Sequence, residues 1–156
     1  MNKQILTHRN NIHISGSGEE TLFFIHGYGC NQVMWRYIVP DYADKYKIVL
    51  IDLVGTGLSD SSAYQFSKYS SLEAYVDDII EICEIFELKN IHLIGHSVSS
   101  MIAALATIKK PTLFKKLIML CPSPRYINDE NYIGGFQKNE IDQLIEVMDL
   151  NYFEWV

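Results

Sequence analysis

The sequence predicts an α/β protein, a mostly parallel sheet with helices on both faces. Three observations carry this. Four short apolar runs alternate with helical patterns, and three of the runs are apolar through most of their length, as in strands buried on both faces. The two clearest helical stretches each fall between two such runs, the β-α-β order that builds a parallel sheet with right-handed crossovers. The 156 residues are 48% apolar, enough to bury one sizeable core and too apolar for wholesale disorder.

Taken in order, residues 5–8 and 12–15 flank Asn10-Asn11 and are expected to form an antiparallel hairpin. The runs Thr21–Ile25, Lys47–Ile51, 90–94 and 115–120 are the next strands, six in all. Residues 71–88 are the strongest helix, with Leu72, Tyr75, Val76, Ile79, Ile80, Cys83 and Phe86 spaced along one face. Its other face carries Glu73, Asp77, Asp78, Glu81, Glu84 and Glu87. That row could be imagined as a metal site, but it is the ordinary pattern of a solvated face. Residues 98–108, rich in Ala and Ser, make a second helix with Lys109 and Lys110 at its carbonyl end and Pro111 to stop it. After Cys121 the stretch PSPRYINDENYIGGF has turn formers and aromatics without a strand pattern. Residues 140–148 then read as an amphipathic helix through Ile141, Leu144, Ile145 and Met148. The last residues, NYFEWV, contain no Gly, Pro or polar tail, and predict a chain that stops short of its fold.

Charge and cysteine usage narrow the partners. The net charge is −6 with the basic residues scattered, which argues against nucleic acid and anionic membrane. Cys30, Cys83 and Cys121 are an odd number without a CxxC pair, as suits a reducing compartment. The first 18 residues lack an apolar signal core, and no run approaches the roughly 18 apolar residues of a membrane span. A cytoplasmic protein is expected.

The chemistry concentrates at strand ends. In HLIGHSVSSMIAAL, residues 92–105, a strand ends at Gly95-His96, Ser97 follows, and a small-residue helix begins at once. Ser97 reads in two ways, as a nucleophile on a tight strand-to-helix turn or as a helix N-cap. The usual G-x-S-x-G turn has glycine where this chain has Ser99. A second stretch, FFIHGYGCNQVMW, favours the nucleophile. Its glycines, Gly27 among them, let the backbone turn an N–H toward a substrate oxygen, so the Tyr28 and Val98 N–H groups become candidate oxyanion donors. His26 could be a base, but its place in the donor loop marks it as a structural histidine. A third stretch, DLVGTGLSD, holds Gly55 and Gly57. It reads as a tight structural loop, because G-x-G without a further glycine is a weak nucleotide signal.

HGYG, then Asp52 to Ser59 as D-x-x-G-x-G-x-S, then GHSVS, on successive strands, resembles the α/β-hydrolase superfamily. GHSVSSMIA followed by SPRYINDENYIGGF is similar to the RsbQ-like subgroup, bacterial sigma-B stress-signalling hydrolases, and to the karrikin and strigolactone receptors. The resemblance implies residues 1–124 as the amino-terminal part of the hydrolase core and 125–156 as the start of its cap. It places Tyr28, Tyr126, Phe136 and Trp155 around an apolar pocket above Ser97, and Arg125 as a structural residue at the cap junction. Gly27, Gly95 and His96 become structural neighbours of the site.

Such a hydrolase also needs a carboxylate and a histidine, in the order Ser, Asp, His. By the same likeness both lie beyond residue 156. His8, His13, His26, His92 and His96 are poorly placed for the role, and Asp129 and Glu130 fall at the cap entrance. The expected activity is a serine hydrolase on a small apolar ester or lactone, lacking its triad Asp and His in this chain. A ligand-sensing module that regulates a stress-response phosphatase is the second expectation, and a non-functional truncated product the third. A triad needs no metal or organic cofactor. The expected partners are a small apolar molecule, a regulatory protein, a separate carboxy-terminal fragment, or a second copy through the exposed sheet edge.

Overall fold

Parallel strands form where alternate side chains have a packing layer on each side. The computed structural model describes residues 2–152. Strands β1 (His13–Ser15), β2 (Thr21–Ile25), β3 (Lys47–Ile51), β4 (Ile91–His96) and β5 (Phe114–Leu120) form one sheet in the order β1-β3-β2-β4-β5. β3, β2, β4 and β5 run parallel, and β1 joins β3 antiparallel. The central strand β2 is buried at all five positions.

Phe23, Ile25, Val49, Ile51, Ile91 and Leu93 point to one face. There they meet Val76, Ile79 and Cys83 of helix α2 (Leu72–Ile85) and Ile102, Ala103 and Ala106 of helix α3 (Val98–Lys109). Burying each large apolar side chain contributes about 1.5–3 kcal/mol, so this layer dominates the unit's stability. Burial pushes the Cys83 thiol far above its ordinary pKa, and it serves as a small hydrophobe. On the opposite face, Leu22, Phe24, Ile48 and Ile94 pack on Trp35 from the 3-10 turn Gln32–Trp35. The Phe24 and Trp35 ring centroids are 5.1 Å apart.

That second layer thins toward β5. Leu22, Trp35, Ile94, Ile118 and Leu120 border an open apolar groove of about 300 Å³. Ile118, Met119 and Leu120 stay 41%, 42% and 37% exposed, and among the described residues β5 pairs only with β4.

Two sequence expectations are corrected. Residues 5–8 are not a hairpin strand, because Lys3–Arg9 is helix α1. The Asn2 side chain accepts from Ile5 N–H at 3.0 Å, capping the helix, and Leu6 and Arg9, three residues apart, face inward. Asn10 and Asn11 end that helix, Asn11 with φ 44°, and β1 finds its partner in β3. The sheet therefore has five described strands rather than six. Asp78 is also not on a solvated face. It is 3% exposed, accepts from Tyr69 OH at 2.8 Å, and lies 3.3 Å from Arg9 Nη2. The misread helix α1 is what delivers Arg9 to it. Glu81 also takes Arg9, through Nη1 at 2.7 Å. The rest of the acidic row is solvated or pairs with lysines, Glu84 with Lys110 at 2.9 Å and Asp77 with Lys109 at 2.5 Å.

The chain divides into two compact units, Met1–Pro122 and Ser123–Val156. In the second, residues 125–136 close on themselves. Asn128 Oδ1 accepts from the N–H groups of Gly134 and Gly135, both at 2.9 Å, and Arg125 pairs with Asp129 at 2.7 Å. The hydrogen bond from Glu130 N–H, and then the Arg125 pairing, lower the Asp129 pKa. Helix α4 (Lys138–Leu150) follows, with Gln137 N–H donating to Glu140 Oε2 at 2.7 Å and no residue of the helix buried. No helix among the described residues is long and apolar enough to cross a membrane.

Candidate active site

Ser97 joins β4 to α3 at φ 56° and ψ −123°, a region that non-glycine residues avoid and that costs on the order of 1–3 kcal/mol. Its side chain makes no capping bond to α3. The turn is held by backbone instead: Ser97 N–H donates to Leu120 O at 2.8 Å, and Ser97 O accepts from Ser100 N–H at 2.9 Å. The Ser100 hydroxyl adds bonds to Gly95 O at 2.7 Å and Leu120 O at 3.0 Å.

Close packing at Gly95 and Gly27 makes the turn possible. A Cβ on Gly95 would stand 2.2 Å from Ser99 O, and one on Gly27 would stand 2.6 Å from His96 Nδ1 and 3.2 Å from Ser97 Cβ. The bare Gly27 backbone thus lies directly against Ser97. His96 Nδ1 is buried there without a hydrogen-bond partner. Val98 opens α3, whose N-terminus favours negative charge, and Tyr28 stands 56% exposed in the neighbouring loop.

His26 is fully buried, and both ring nitrogens are engaged. Leu53 N–H donates to Nε2 at 3.0 Å, so Nδ1 carries the proton and donates to Gly27 O at 2.8 Å. Burial holds the His26 pKa below the ordinary 6.5, so the ring stays neutral. A group with a depressed folded pKa and an unfolded value near 6.5 leaves stability intact above that pH and withdraws it as pH falls below. The urea midpoint of the chain should accordingly drop between pH 7.5 and pH 5.5, and His26→Asn should flatten that slope. An unchanged slope would mean that His26 takes up protons in the native state.

Asp52 organises the third loop. Its Oδ1 accepts from Gln32 N–H at 2.8 Å, and its Oδ2 accepts from Leu58 N–H at 2.9 Å and Asn11 Nδ2 at 2.8 Å. Gly55 and Thr56 N–H groups turn inward to Ser59 Oγ at 3.1 and 3.2 Å, the bonding of a tight structural loop.

Ser97, Val98, Gly95, His96, Gly27 and His26 thus converge in the first unit. Tyr126 and Phe136 belong to the second, where Phe136 N–H donates to Tyr126 O at 3.1 Å and both rings are partly exposed. Trp155 lies outside the described residues. Sequence reading passed over the roles of Asp52, Asn11 and Ser99. The Ser99 side chain is fully buried and donates to His26 O at 2.5 Å. Its one visible signal was the departure from the elbow glycine.

A strained serine between a parallel strand and a helix, with a glycine loop laid against it, defines a site of the α/β-hydrolase kind. The family model for the alpha/beta hydrolase fold matches residues 20–141, and the chain belongs to that family. It is 43% identical over 151 residues to the Karrikin insensitive 2 receptor CA of Petunia hybrida, covering 97% of this chain and 56% of that protein. It is 41% identical over 146 residues to the Strigolactone esterase D14 of Arabidopsis thaliana, covering 94% and 55%. The solved structure of a hydrolase from Oleispira antarctica superposes with a TM-score of 0.94 at 40% identity, over 99% of this chain and 57% of that one. The chain spans about half the length of the curated relatives it matches.

Proposed function

We propose that this chain supplies the nucleophile and oxyanion hole of a cytoplasmic serine hydrolase, carboxylesterase-like, acting on a small apolar ester or lactone. One observation carries the reading: Ser97 is strained, caps nothing in its own helix, and is packed against the Gly27 backbone. In the proposed step Ser97 Oγ attacks the carbonyl carbon and its proton passes to a base. The carbonyl oxygen becomes an oxyanion received by the Tyr28 and Val98 N–H groups at the positive end of α3. Collapse releases the alcohol, and water then hydrolyses the acyl-serine.

The base and its carboxylate come, in this reading, from outside residues 1–156. His26 has both nitrogens in use, and His92 Nε2 bonds Glu20 at 2.7 Å. His8 stands 3.6 Å from Asp60, and His13 is exposed on β1. No metal or organic cofactor enters this chemistry. Free thiols at Cys30, Cys83 and Cys121 favour a reducing compartment. Tyr28 is assigned to the substrate pocket by resemblance.

The relative named a receptor supports a second reading, a ligand-sensing module, whose RsbQ-like form rests on the motif resemblance alone. There the same pocket takes a small apolar molecule and a regulatory protein, a stress-response phosphatase, reads the result. A separate carboxy-terminal segment or a second copy of the chain are the remaining proposed partners. A fluorophosphonate is the direct test. Mass spectrometry should find it on Ser97 and should find none on Ser97→Ala. Because the base lies outside the chain, labelling is slow, carried only by the residual acceleration of about 10³–10⁴ from the oxyanion hole. An adduct elsewhere, or none after exhaustive exposure of the folded chain, overturns the hydrolase reading. Lactone binding with no adduct at Ser97, unchanged in Ser97→Ala, supports the sensing one.

A further inference from the structure

The geometry points to Ser99 as a positioning residue that fixes the oxyanion loop against Ser97, an inference that rests on reading Ser97 as the nucleophile. The peptide joining His26 to Gly27 is held at its carbonyl by the Ser99 hydroxyl, 2.5 Å from His26 O. The next peptide, joining Gly27 to Tyr28, is held at its carbonyl by His26 Nδ1–H at 2.8 Å, with Cys30 N–H adding a longer bond at 3.3 Å. Between these two planes lie only φ and ψ of Gly27. Glycine is the residue with the most freedom at those angles, and pinning both flanking planes removes it. In a trans peptide the N–H points opposite to the carbonyl. Fixing Gly27 O therefore fixes the direction of Tyr28 N–H, the proposed oxyanion donor.

Ser99 sits in the first turn of α3, two residues after Ser97. Its hydroxyl thus ties the nucleophile's own helix to the loop that must meet the same oxyanion. Donors held in place before the reaction stabilise developing charge without reorganising during it. Glycine, the usual residue at this point of the turn, has no hydroxyl to make that bond. Ser100, its neighbour, is equally buried but bonds Gly95 O and Leu120 O, so it secures the elbow without touching the loop.

The test compares Ser99→Ala, Ser99→Gly and Ser100→Ala in the 156-residue chain. Two readouts are taken beside the melting temperature: the rate at which a fluorophosphonate labels Ser97, and the backbone ¹⁵N order parameters of Gly27 and Tyr28. Removing one oxyanion donor outright costs a factor of about 10²–10³, so loosening it should slow labelling by roughly tenfold or more. The order parameters should fall from the rigid value of about 0.85 toward 0.6. Ser100→Ala should lower the melting temperature while leaving the order parameters of Gly27 and Tyr28 as in wild type. Its labelling rate is no control, because Ser100 secures the elbow that carries Ser97. If Ser99→Ala does not fold, Ser99→Gly, which carries the usual elbow residue, takes its place. Unchanged order parameters at Gly27 and Tyr28 in a folded Ser99 variant overturn the inference. A wild-type chain that is never labelled at Ser97 overturns the hydrolase reading instead, and the order parameters still decide the role of Ser99.

Discussion

Residues 1–156 on their own are expected to hydrolyse a small activated ester no faster than the residual acceleration of about 10³–10⁴ over water that an oxyanion hole and binding supply. The argument starts from the Ser97 hydroxyl, which stays protonated at neutral pH unless a base takes its proton. Among the described histidines His26 is the nearest in sequence to the donor loop, yet its Nε2 lone pair is occupied by Leu53 N–H. His96 Nδ1 faces Gly27, and His92 is committed to Glu20. What remains is a strained serine, a helix N-terminus and backbone donors, which stabilise the oxyanion but do not generate the alkoxide. The measurement is release of p-nitrophenol from a short-chain ester by the purified chain, with Ser97→Ala as control. Ser97-dependent turnover of about 10⁶-fold over water, the lower range of complete enzymes, would show that a base within the chain serves Ser97.

The parts of the molecule that were legible in the sequence share a physical reason. β2 to β5 lie side by side in a parallel sheet, so Thr21–Ile25 and Lys47–Ile51 read as continuous apolar runs, and both ranges agree with the observed strands. α2 was visible because fourteen residues of amphipathic pattern outweigh any local competitor. α1 was not, because seven residues hold too few inward positions, and the Asn10-Asn11 pair carries a turn signal that serves a helix end as well as a hairpin. The elbow could be located from its small residues, since close approach to Gly27 and Gly95 demands them. The bonds that hold it could not. Ser99 meets His26 across 73 positions of sequence, and Asp52 gathers Asn11, Gln32 and Leu58 from three segments. Only the folded chain brings those partners together.

The isolated chain is expected to self-associate through β5, because a bare apolar sheet edge is a template for another strand. β5 offers seven residues of unpaired edge among the described residues, with Ile118, Met119 and Leu120 each more than a third exposed and an apolar groove running beside them. The simplest closed contact is twofold, the same strand on both copies, antiparallel. Centred on Leu117, it sets Lys116 opposite Ile118 and Lys115 opposite Met119, and opposes no like charges. Lys115 is in any case paired with Glu20 in its own chain. This register makes a charge test decisive. Ile118→Lys places a lysine opposite the partner's Lys116 and should return the chain to a monomer of 18.0 kDa. Ile118→Glu sets an opposite charge at the same point and should keep the dimer, although it removes the same apolar surface. Light scattering of the three proteins distinguishes the outcomes. Equal loss of association in both variants would mean that apolar burial in the groove, rather than pairing of β5 in this register, joins the copies. A wild-type chain that stays monomeric at high micromolar concentration would show that its edge is already protected.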